Sequence, residues 1–306
     1  MTTPARLISH GADADVALEE RIDAIKLRIR QTGDIPGASV DRQLELLDEM
    51  ARFDLGRFLL VNRGLNAEWT HRVVTYVPGT IAAGSLEHDV FEKLPATLAT
   101  RERFGVFRNE LQVLLRPGCV MASVPCGVMG ELLLLDYTQH PDVKLTGIDL
   151  DEEALAGATA LASQRGLSER VSFHCEDAWR SAGSGEFDVV TSNGLNIYEP
   201  DDARVTALYR VLFDMLKPGG ALVSSFLTPP PALSPQSPWN PEAIDQNALA
   251  LQHLLLVRIV EAKWNAFRTH AETARQLEEA GFEDIRFVDD RAGMFPTVVA
   301  RKAGRR

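Results

Sequence analysis

The chain has 306 residues, 45% of them hydrophobic and 25% charged, a composition that supports a large core and excludes disordered and collagen-like chains. Lys and Arg number 32 against 43 Asp and Glu, and a net charge of −11 disfavours nucleic acid, whose binding depends on Lys and Arg neutralising phosphates. Cys119, Cys126 and Cys175 form no C-x-x-C pair and no disulfide framework, which points to a reducing compartment. A membrane helix needs about 20 apolar residues. The best stretch, 248–260, is broken by Gln252, His253 and Arg258, so no membrane span is expected. Because 1–15 carry no apolar core of a secretory signal, the expected location is cytoplasmic, and the basic run 301–306 reads as a solvated tail.

The first hundred residues carry helical periodicity. Leu18, Ile22, Ile25 and Ile29 form one apolar stripe, and after Pro36-Gly37 the residues Leu44, Leu47, Ala51, Leu55 and Phe58 form a second, read as a single helix. Residues 62–71 mix turn formers with Trp69 and His71, whose bland reading is packing and surface. A further helix is expected from Ser85 through Val90, Phe91, Leu94 and Leu98, kinked at Pro95.

From Arg116-Pro117-Gly118 onward, short apolar runs alternate with helical segments. Strands are expected at 119–124, 144–149, 171–174, 187–192 and 221–227, with helices at 130–139, 152–164 and 202–216 between them. Strands separated by helices at this spacing build a parallel sheet covered on both faces, so the fold class is α/β, doubly wound. The proline-rich stretch 228–238 is a loop. Asn240 and Pro241 then open a long helix over Ile244, Ala248, Leu251, Leu255, Ile259, Ala262 and Ala266. A last helix ends at Gly281, and 282–288 with 297–301 read as an antiparallel pair closing the sheet. The expected organisation is a helical N-terminal cap over 1–110 and an α/β domain over 111–306, with a helical insert near 232–275.

Candidate chemistry gathers at strand ends. The first strand enters Ser123-Val124-Pro125-Cys126-Gly127-Val128-Met129-Gly130, a glycine turn leading into a helix, where backbone can approach a ligand and amides favour negative charge. Alone, such a turn equally serves an ordinary strand-to-helix connection. The second strand ends at Asp149, 22 positions after Gly127, where a carboxylate can accept both hydroxyls of a ribose. Glu176-Asp177-Ala178 follows the third strand, where a carboxylate can accept from an adenine amino group. Asp149 and Asp177 could each equally be helix caps. No Cys/His cluster has ligand spacing, so no metal is expected.

The glycine turn, Gly147-Ile148-Asp149-Leu150-Asp151, Glu176-Asp177-Ala178, Phe187-Asp188-Val189-Val190-Thr191-Ser192-Asn193-Gly194 and Leu216-Lys217-Pro218-Gly219-Gly220-Ala221-Leu222-Val223 together resemble the class I S-adenosylmethionine-dependent methyltransferases. The resemblance covers 116–227 by motif, and it implies a mostly parallel seven-stranded, Rossmann-like sheet with S-adenosylmethionine as cofactor. It assigns cofactor contacts to Ser123, Pro125, Cys126, Gly127, Asp149, Leu150, Asp177, Ala178 and Asn193. In place of the family's acid and three alternating glycines stand Ser123, Pro125, Gly127 and Met129, so one glycine matches.

Acceptor-side candidates are Asn193, Asn196 and Tyr198 after the fourth strand, with His270 beyond the long helix. Asn196, Tyr198 and His270 are the catalytic candidates, with Leu195, Ile197, Leu233 and Trp239 as apolar lining. The leading reading is methyl transfer to a small-molecule acceptor. The altered glycine motif keeps a non-catalytic or regulatory binding module as the alternative, and a nicotinamide-linked reductase is disfavoured because Gly-x-Gly-x-x-Gly is absent.

Overall fold

The computed structural model of the chain describes residues 18–181 and 185–304, so the N-terminal segment and the end of the basic tail lie outside the described residues. The elements run α1 (Leu18–Thr32), α2 (Val40–Met50), α3 (Asp54–Asn62), α4 (Ala67–Thr75), α5 (Leu86–Glu92), α6 (Pro95–Leu114), β1 (Val120–Ser123), α7 (Gly130–Leu133), β2 (Lys144–Asp149), α8 (Glu152–Gln164), β3 (Val171–Cys175), β4 (Phe187–Ser192), α9 (Asp202–Met215), β5 (Leu216–Ser225), α10 (Gln246–Gln252), α11 (His270–Ala280), β6 (Glu283–Val288) and β7 (Thr297–Arg301). They form two compact units. One comprises the described residues of 102–239 and 265–304, and the other those of 18–101 and 240–264.

In the sheet unit the strand order is β3-β2-β1-β4-β5-β7-β6, with β1 to β5 mutually parallel and β7 antiparallel to both its neighbours. Because successive residues of a strand point to opposite faces, each strand feeds two cores. Met121, Leu145, Val189, Val223 and Val299 enter one, which α6 and α8 supply with Phe107, Leu111 and Ala158. Ala122, Ile148, Val190, Leu222 and Val298 enter the other, with Leu208, Tyr209 and Leu212 of α9 and Leu277 of α11. Each fully buried aliphatic side chain contributes about 1.5–3 kcal/mol.

The helical unit has its own core, in which Ile25, Leu46, Leu47, Met50, Leu60 and Phe91 pack with Leu255 and Ile259. Several boundaries differ from the sequence expectation. The second stripe is two helices, because the chain turns at 51–53 and α3 returns with Gly56 against Met50; a Cβ on Gly56 would stand 2.1 Å from the Met50 carbonyl oxygen. Residues 67–75 are helical, capped by Asn66, whose Oδ1 accepts the Trp69 amide at 2.9 Å. Pro95 opens α6 instead of kinking a helix begun at Ser85, consistent with its missing N–H being dispensable in a first turn.

α7 stops after one turn instead of reaching 139. There α6 takes over the backbone polar groups: Arg108 donates to the Leu134 carbonyl, and Gln112 exchanges two 2.9 Å bonds with the Asp136 backbone. Asn240 and Pro241 open a short 3-10 turn, while the following helix starts from Asp245 and changes to π-helix at His253–Ile259.

Candidate functional site

The strand order reverses at β1, with β2 on one side and β4 on the other, and open parallel sheets bind ligands in the crevice at such a switch point. The loop leaving β1 is tied to both neighbours. The Val124 amide donates to the Thr191 carbonyl of β4 and the Cys126 amide to the Ile148 carbonyl of β2, each at 2.8 Å. Gly127 (φ 52) and Met129 (φ 59) both lie in the left-handed region. Met129 therefore adopts, at the family's third glycine position, a backbone that glycine takes without strain, while its side chain is buried in the core.

Asp149, at the carboxyl end of β2, holds this loop. Its Oδ2 accepts the Gly127 amide at 2.7 Å and its Oδ1 accepts the Asp151 amide at 3.0 Å. The side chain is buried, and burial, reinforced by nearby Asp151, pushes the carboxyl above the ordinary aspartate range despite these amide bonds. Two amides do not exhaust two carboxylate oxygens, so acceptor capacity remains. At the end of β3, Asp177 accepts the Trp179 amide at 3.0 Å and stands beside buried Ala178.

Two titratable side chains that the sequence patterns do not single out lie at the same strand ends. Glu131 of α7 is fully buried; its Oε1 accepts Ser123 Oγ at 2.5 Å and Thr191 Oγ1 at 3.0 Å, and burial raises its pKa. Arg103 of α6 is buried, with Nη1 donating to Asn193 Oδ1 at 2.7 Å and Ser225 Oγ at 2.9 Å.

A family model described as a methyltransferase domain matches residues 124–220. The sequence is 57% identical to a "possible exported protein" from Bordetella parapertussis, over 99% of this chain and 100% of that one, with a TM-score of 0.91. An O-methyltransferase family protein from Burkholderia thailandensis matches at 17% identity and TM-score 0.51 over 87% of this chain and 72% of its own. The S-adenosylmethionine-dependent methyltransferase SibL matches at 15% identity and TM-score 0.51, over 85% and 75%. The last two likenesses establish the fold. No curated protein matches the sequence. Residues 124–220 form a methyltransferase domain, in the fold that the S-adenosylmethionine-dependent methyltransferases share.

Within this methyltransferase fold the sequence candidates separate. The loop 123–127, Asp149, Leu150, Asp177, Ala178 and Asn193 all stand at the carboxyl ends of β1 to β4. The acid that the family carries in β1 is replaced by Ser123 with Glu131 behind it; an acid in the first turn of the next helix was the available signal. For Arg103, on a helix before the first strand, the sequence offers none.

The catalytic candidates Asn196, Tyr198 and His270 each stand in a defined setting. Asn196 gives its amide protons to Tyr209 Oη at 3.0 Å and the Ser225 carbonyl at 2.9 Å, which brace it inside the core. His270 begins α11, with Nε2 at 2.8 Å from Asp289 and its ring edge-on to Phe226 and Phe287. Tyr198 is half-buried after the turn Leu195–Ile197 and close enough to Arg103 to act on its charge. Trp239 donates to Thr228 Oγ1 at 3.0 Å, whereas Leu233 is 67% exposed. The turn after β4 is held by Arg268, which is buried and donates to the Asn196 carbonyl at 2.9 Å, the Glu199 carbonyl at 2.8 Å and Asp202 at 2.9 Å. Among the described residues no metal-binding cluster exists, and no helix is long and apolar enough to cross a membrane.

Proposed function

We propose that this chain binds S-adenosylmethionine across the carboxyl ends of β1, β2 and β3 and transfers its methyl group to a small-molecule acceptor held over the ends of β4 and β5. The observation that carries the reading is Asp149: a buried carboxylate at the switch point, fixed on the Gly127 amide, with unused acceptor capacity.

The residues present fit the cofactor chemically. Asp149 would accept the ribose hydroxyls, and Asp177 with the apolar Ala178 would take the adenine edge. The 125–128 backbone would pass close to the amino-acid end, where Ser123 Oγ, its proton donated to Glu131, offers an acceptor for an ammonium. When bound, the cofactor supplies a sulfonium methyl that is already a strong electrophile, so the chain need only align an acceptor and exclude water. That alignment falls to Asn193, Tyr198 and the turn that Arg268 clamps. No buried dyad of base and nucleophile is required for such chemistry.

Calorimetry with S-adenosylhomocysteine tests binding, and a turnover assay with a labelled methyl donor over a small-molecule panel tests transfer. Micromolar binding with turnover of at least one acceptor is the expected result. Binding without any turnover would favour the regulatory binding module, for which the altered glycine motif is the supporting feature. Absence of binding would overturn the reading.

A further inference from the structure

Arg103 is a buried cation without a counter-ion. It is 5% exposed, and among the described residues no carboxylate lies within ion-pair distance of it. The two carboxylates that act on its charge, Asp290 and Glu131, are committed elsewhere. Asp290 accepts the amides of Ala292, Met294 and Phe295 at 3.1, 3.3 and 2.6 Å, and Glu131 serves Ser123 and Thr191. Burial lowers the guanidinium pKa to about 10, so the group is still charged at neutral pH. One nitrogen, Nη1, is used by Asn193 and Ser225. Nε is buried and meets no acceptor at all. The Phe295 ring lies 5.5 Å from the guanidinium carbon, closing one side with an apolar face.

An uncompensated buried charge is costly, and it persists where a ligand completes it. The planar guanidinium edge that no hydrogen bond occupies on Arg103 matches the two oxygens of a carboxylate better than any point acceptor. Its location decides whose carboxylate. Asn193 follows β4 and Ser225 ends β5, on the side of β1 opposite the ribose and adenine positions at β2 and β3. Building on the proposed function, we propose that the acceptor is an anionic small molecule whose carboxylate is held by Arg103, which makes Arg103 the residue that sets substrate class.

The test uses the full chain with benzoate, phenylacetate and hexanoate, each against its neutral amide, measured by calorimetry with and without saturating S-adenosylhomocysteine. At least one carboxylate should bind at least tenfold tighter than its amide. Arg103→Met should erase that preference while changing S-adenosylhomocysteine affinity less than threefold. Asn193→Asp, which supplies the guanidinium with an internal carboxylate and so keeps it paired in the fold, should erase the preference too.

Equal binding of every acid and amide, or no binding of either, overturns the proposal. So does a tenfold loss of S-adenosylhomocysteine affinity in Arg103→Met with unchanged affinity for 5′-methylthioadenosine, which lacks the carboxylate; that result assigns Arg103 to the cofactor. If wild-type protein binds no S-adenosylhomocysteine, the cofactor reading fails separately, and the acid-to-amide preference of the unliganded protein still decides the role of Arg103.

Discussion

Replacing Asp149 by Asn separates the cost of the site from its use. In the unliganded protein, asparagine keeps one acceptor oxygen and loses the other, so either the Gly127 or the Asp151 amide is left facing an NH2 group, at about 1–3 kcal/mol. Against this, the substitution removes a carboxylate that burial makes reluctant to ionise. The folded-state pKa is raised above the unfolded one, so the wild-type carboxyl favours the folded state at low pH and weakens it as pH rises past the unfolded value. The two effects oppose each other at neutral pH, and the variant should lie within about 1–2 kcal/mol of wild type in urea denaturation. The wild-type-minus-variant stability difference should become more favourable to wild type as pH falls towards 4. Cofactor binding carries no such offset. Loss of a charged acceptor for two ribose hydroxyls costs about 1–3 kcal/mol, or roughly 5- to 150-fold in the Kd for S-adenosylhomocysteine by calorimetry. A folded variant with unchanged Kd would refute the assignment of Asp149 to the ribose.

Arg268→Met removes three donors from two buried carbonyls and Asp202, and should cost about 2–4 kcal/mol in denaturant unfolding. Because those carbonyls belong to the turn after β4, turnover should fall more than S-adenosylhomocysteine affinity; equal losses would deny Arg268 a positioning role. Gly56→Ala drives a methyl group into the Met50 carbonyl and should destabilise the helical unit by about 3 kcal/mol or more, read as lost protection of α2 and α3 in hydrogen exchange. Asp188 starts β4 buried; burial alone would raise its pKa, but Lys217, the Val120 amide and Arg116 outweigh it and hold it below the ordinary value. Its stabilisation is therefore present above the unfolded pKa near 4 and lost as pH falls. Asp188→Asn should cost about 1–2 kcal/mol at pH 7, with the gap to wild type closing below pH 4; a gap independent of pH would contradict this ion-pair account.

The α/β order, the seven strands and the strand-end acids were legible because they are local. Fully buried strands read as short apolar runs, and a carboxylate at a strand end is placed by strand and loop length alone. Asp149 was found this way, and so was the closing antiparallel pair. The end of α7 was not legible, since its four leucines favour continued helix until Arg108 and Gln112 of α6 claim the backbone at Leu134 and Asp136. Nor was the break between α2 and α3, where periodicity runs unbroken but packing returns Gly56 onto Met50. The same holds for the site's charges. Arg103 and Arg268 lie far apart in the chain, in stretches whose composition is ordinary for solvated helix or loop, and Glu131 is an acid beside a leucine run whose partners are set by β1 and β4. Whether a charged residue is solvated or buried depends on which elements pack over it, and its function here depends on which partners that packing supplies or withholds. Local pattern determined where the strands end; tertiary burial alone decided that Arg103 stands beside β4 and β5 with its charge unanswered.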